Sequence, residues 1–144
     1  MRIQRVNRSD AEKVWINVRN MSGSTANGNS ALCLDMGTTV DGISTVAPAA
    51  ASFGGWVGIA HKDITDTEYG LSQIFGYRDS ILLSHEGSSV TVNKGGLMHL
   101  VTGQGGLTTS TAQALSTNCF RYVIAATAQT VSAAAYTDGI IRCL

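Results

Sequence analysis

The stretch that most constrains how this chain can fold is Trp56–Leu83, WVGIAHKDITDTEYGLSQIFGYRDSILL. It reads as strand, tight turn, long strand, turn, strand. Trp56–Ala60 alternates large and small residues, and His61–Glu68 is polar, with a Thr65-Asp66-Thr67 trio that favours turns. In Tyr69–Tyr77 the period of two puts Tyr69, Leu71, Phe75 and Tyr77 on one face and Gly70, Ser72 and Gly76 on the other. The expectation is that Tyr69, Leu71 and Phe75 face the core. The small face is expected to receive a second strand or a neighbouring subunit at close range.

At 144 residues the chain is long enough to bury a core without help from metals or disulfides. Its formal net charge is zero, with 10 basic and 10 acidic residues, so it lacks the basic excess that phosphate binding requires. Charged residues make up 14%, against roughly 25% in an average soluble domain, which suits a subunit packed into an assembly. Cys33, Cys119 and Cys143 are odd in number and lack CxxC spacing, which argues against a disulfide framework and a zinc site. No apolar run approaches membrane-spanning length, and Met1–Asp10 lacks the apolar centre of a signal peptide. The expectation is a protein made in the cytoplasm, with no membrane and no direct nucleic-acid partner.

Met1–Lys13 reads as a polar arm carrying Arg2, Arg5 and Arg8, and residues 14–144 as a single β domain. Arginines on such an arm can make paired hydrogen bonds to a neighbour's carboxylates. Val14–Arg19 is a strand with Val14, Ile16 and Val18 on one face, and Ala31–Asp35 is a second. Asp41-Gly42 is a turn pair of the hairpin-closing type. Ser88–Asn93 and Gly96–Val101 flank Lys94-Gly95 and predict a compact hairpin. Thr102–Asn118 and Thr127–Asp138 read as long polar connections, with a strand at Phe120–Ala126 between them. Gly139–Leu144 predicts a terminal strand presenting Ile140, Arg142 and Leu144, with an edge free to add to a partner's sheet. Short strands, frequent turn signals and no amphipathic helix give an all-β fold. The class is a small antiparallel β-sandwich, jelly-roll or barrel-like domain with long polar loops.

No reaction emerges from the residues. His61-x-Asp63 with His85 or His99 has the composition of a two-histidine, one-carboxylate iron site, but such a triplet arises easily by chance. Gly70-Leu71-Ser72-Gln73-Ile74 has Ile74 where a nucleophile elbow needs glycine. Gly103-Gln104-Gly105-Gly106 lacks the Lys-Ser/Thr of a phosphate loop. The expectation is a non-enzyme without cofactor or metal. A shallow glycan or receptor site built on Trp15 or Trp56 is the alternative.

An ordered set of segments carries a resemblance. It comprises Asp10-Ala11-Glu12-Lys13-Val14, Asn20-Met21-Ser22-Gly23-Ser24, Ala31-Leu32-Cys33-Leu34-Asp35, Gly58-Ile59-Ala60, Tyr69 to Tyr77, and Ile140-Ile141-Arg142-Cys143-Leu144. The chain resembles the cement, or head decoration, proteins of tailed bacteriophages. The resemblance implies a structural virion protein on the capsid exterior that binds a shell of HK97-like major capsid protein. It also implies self-association as a homodimer or homotrimer, and no catalytic residues. The contact residues expected on this reading are Arg2, Arg5, Arg8, Ile140, Arg142 and Leu144.

Overall fold

A computed structural model of the chain describes residues 3–7, 12–38, 40–49, 55–84, 89–101, 103–109 and 122–143. Among them the regular structure is almost entirely β. The strands are β1 (Ile3–Asn7), β2 (Glu12–Asn20), β3 (Ala31–Leu34), β4 (Ser44–Val46), β5 (Trp56–Ala60) and β6 (Tyr69–Leu83). They continue with β7 (Val90–Val92), β8 (Leu97–Val101), β9 (Gln104–Thr109), β10 (Tyr122–Ala125), β11 (Gln129–Val131) and β12 (Ala135–Arg142).

The pairings centre on β6, a single run of 15 residues in which the turn expected before Leu83 does not occur. Its first half pairs antiparallel with β2 and β5, and its second half with β12. At its end Leu83 pairs in parallel with Leu107 of β9. These ladders close two circuits that share β6, one through β2, β4, β3 and β5 and the other through β12, β10, β8 and β9. The architecture is therefore barrel-like and mostly antiparallel, with β2–β4 as a second parallel pairing. β7 and β11 form a separate two-stranded sheet. Closing the ladders leaves few strand edges open to water or to other chains.

β2 follows its pattern: Val14, Ile16 and Val18 are buried and Asn17 is exposed. The core includes Leu32, Ile59, Ile81, Leu83, Met98, Leu107, Val123 and Ile141. The arm segment Ile3–Asn7 is not loose, because it pairs with β2 from Ile3↔Ile16 to Asn7↔Glu12.

β6 departs from the simple alternation. Trp15 pairs with Gln73 but Val14 pairs with Phe75, so Ile74 is an extra residue on β6. One extra residue turns every later side chain to the opposite face. Tyr69 and Leu71 therefore do not share a face with Phe75 and Tyr77, and the set does not form one core stripe. Tyr69 is 65% exposed and stands near the Arg19 guanidinium, while Leu71 and Phe75 are half-buried. Buried instead are Ser72, Ile74, Gly76 and Arg78. The close approach expected at the small residues does occur: a Cβ on Gly70 would meet the Ile64 side chain, and one on Gly76 would meet the Glu12 carbonyl.

Other sequence expectations are corrected. β7 and β8 do not form a hairpin, because β7 pairs with β11 while β8 pairs with β10 and β9. The turn between them is stitched to β10 instead: Gly95 N donates to Ala125 O and Ala125 N donates to Gly96 O. The segment expected as loop after Thr102 contains β9, and Thr127–Asp138 contains β11 and the start of β12. Finally, β12 is no free edge, since it lies between β6 and β10 and both of its sides are paired.

Candidate partner-binding face

Two polar features and one apolar face stand out. The first is Arg78, 5% exposed and held without a carboxylate among its hydrogen-bond acceptors in the described residues. It donates to Ser80 O at 2.8 Å, Ala60 O at 2.8 Å, His61 O at 3.3 Å, Gln73 Oε1 at 3.4 Å and Asn29 Oδ1. Gln73 in turn donates to the carbonyls of Phe75 and Tyr77. Burial pulls the Arg78 pKa below its ordinary value, partly offset by the negative charge of Asp79. The arrangement ties β6 to the end of β5 and to the loop before β3, and it reads as structural.

The second is an open hollow of about 930 Å³ bordered by Asn27, Asn29, His61, Lys62, Asp63 and Tyr136. His61 packs edge-on against Trp15, with ring centroids 4.7 Å apart. Its pKa is lowered first by burial and then by the positive charges of Arg78, Lys62 and Lys13. Asp63 accepts the Gly28 amide at 2.7 Å, fastening one loop to another. His99 lies on β8, and His85 is outside the described residues. Among the described residues, no cluster of three His, Cys, Asp or Glu side chains is placed to hold a metal. Cys119 also lies outside the described residues, whereas Cys33 and Cys143 are buried. Trp56 is 2% exposed and cannot line a surface site, and Trp15 is half-buried beneath His61.

The apolar face follows from register. Leu97 pairs with Ile124, Ile124 with Ile140, and Ile140 with Tyr77, so these residues form one row across β8, β10, β12 and β6. Paired residues share a face, and here it is the outward one. Ile140 is 41% exposed, Tyr77 39% and Leu97 36%, with Ile124 half-buried, while the alternate residues Val123 and Ile141 are fully buried. The next row runs Tyr122, Arg142, Phe75, with the Arg142 guanidinium 5.9 Å from the Phe75 ring centroid. A contiguous outward apolar row is informative in a way that scattered exposed apolar residues are not.

The expected contact residues divide. Ile140 and Arg142 stand side by side on this face. Arg5 lies on β1, where it pairs with Val14 of β2 and not with a strand of this row. Arg2, Arg8 and Leu144 lie outside the described residues. Sequence reasoning missed Tyr77, Ile124 and Leu97 as surface. The available signal was that β10 is apolar on both faces, which a strand with one solvated face should not be.

Comparison with protein-family models, curated proteins and solved structures gave no match.

Proposed function

We propose that the chain is a structural subunit that works by binding other protein, and specifically that it is a bacteriophage cement protein. On this reading it sits on the exterior of the virion, on a shell of HK97-like major capsid protein, and stabilises the shell by bridging neighbouring capsomers. The observation that carries the protein-binding part is the outward row Leu97–Ile124–Ile140–Tyr77. The shell as partner rests on the resemblance of the segments given above. A neutral, sparsely charged surface supports dense packing on a shell, where like charge would be self-repelling. Many modest contacts repeated over a lattice supply avidity that one small interface lacks.

The test is co-sedimentation with empty shells. The wild-type chain is expected to pellet with them, and Ile140→Asp to pellet less, while still melting cooperatively because the position is exposed within one chain. A wild-type chain that stays in the supernatant at all concentrations removes the shell reading. A second reading, a glycan- or receptor-binding module of a phage particle, draws on Tyr136, 57% exposed at the border of the polar hollow. Exposed aromatics beside polar groups suit sugar rings. Binding to a glycan array that is lost in Tyr136→Ala would favour it.

A further inference from the structure

We infer that a second copy of the chain covers the apolar face, packed about a two-fold axis that runs along the row Leu97–Ile124–Ile140–Tyr77. This rests on the reading of that face as a protein-binding surface and names its occupant.

The argument comes from the charges on either side of the row. On β12, Ile140 is bracketed on its own face by Asp138 and Arg142. Asp138 lies on this face because it alternates with the buried Thr137 and Gly139, and the exposed Asp79 lies on it because it is separated from Tyr77 by the buried Arg78. Arg142 lies on this face beside the Phe75 ring. The row is therefore flanked by two carboxylates on one side and a guanidinium on the other.

Two sheets can meet face to face about a two-fold axis only if that axis lies in the plane between them. If it runs along the row, perpendicular to the strands, it reverses strand direction. Each residue of the row then meets its own counterpart, and Arg142 of each copy faces Asp138 and Asp79 of the other. An axis parallel to the strands would instead leave Arg142 of both copies on the same side of the row and the carboxylates of both on the other. A self-complementary patch is what an isologous interface demands. The apolar row supplies the burial, and the flanking charges select this orientation. Facing sheets about 10 Å apart are within reach of Tyr, Ile and Arg side chains.

The full chain at micromolar concentration and low salt should sediment at twice its mass of 15.1 kDa. Arg142→Asp and Asp138→Arg should each weaken self-association at least ~10-fold. The combined Asp138→Arg/Arg142→Asp exchange should restore it, with cooperative melting and an unchanged β-type circular dichroism spectrum showing that all three fold. A wild-type monomer at every concentration, an Arg142→Asp variant that associates normally, or an exchange as weak as the single variants would each overturn the inference. A monomer that still pellets with shells overturns the pairing alone. A pair that obeys the exchange but never pellets supports the pairing and removes the shell reading.

Discussion

Gly76 sits where β6 and the start of β2 leave no room for a side chain. Its φ is +98°, and a Cβ would lie 2.0 Å from the Glu12 carbonyl oxygen. Gly76→Ala should therefore cost about 2–3 kcal/mol, read from the urea midpoint. Ser72 offers the opposite case. Its hydroxyl is buried and has no hydrogen-bond partner among the described residues. Ser72→Ala removes that unsatisfied group and should be neutral or stabilising by up to about 1 kcal/mol in the same assay. Arg78→Met would strand the acceptors of Ala60, Ser80, Gln73 and Asn29 in the interior, with an expected loss of about 3 kcal/mol. His61 gives a pH test. Its folded pKa lies below its unfolded one, so its contribution is full above the unfolded value near 6.5. That contribution is lost as pH falls toward the folded pKa, because the unfolded chain takes up the proton first. The difference in urea midpoint between wild type and His61→Gln should shrink over that interval. None of these four roles can be read from the sequence, since each depends on what another strand places opposite the residue.

β2, β5 and the first half of β6 were legible as elements because apolar and small residues alternate cleanly there. What failed was the assignment of faces, and the cause is one residue: Ile74 has no partner on β2, so the alternation reverses in mid-strand. A bulge leaves no mark in a two-residue period, and Tyr69 and Tyr77 consequently looked like companions. The hairpin expected at Lys94-Gly95 failed for a different reason, since a turn pair specifies a reversal but not which strand fills the place beside β8. β9 was missed because Gln104-Gly105-Gly106 carries weak strand propensity, although a Cβ on Gly106 would strike Ser84 and so needs that composition. Half of the expected contact set lies among the described residues, and Ile140 and Arg142 fall together because β12 is a true strand. The pairings also predict how truncations behave. β1 stands at the end of the strand order and among the described residues pairs with β2 alone, so removing residues 1–9 should leave a cooperative melt. Removing residues 139–144 deprives both β6 and β10 of a partner and should abolish it.

For the whole molecule, a chain of zero net charge with an outward apolar row should not be a freely dispersed monomer. Its composition and its sheet face thus support the proposed association through different observations. The all-β class was open to inspection from turn spacing and strand composition. The closure into two circuits was not, because it depends on pairings such as Leu83↔Leu107 between residues far apart in sequence. The shared strand β6 carries a further consequence. Each circuit needs β6 as one of its staves, so neither can open by shedding it without opening the other. Amide hydrogen exchange should show this directly. Slow amides in β2 and in β10, which belong to different circuits, should exchange through one common opening with matching free energies. They should also respond equally to Gly76→Ala, although that residue touches only one of them.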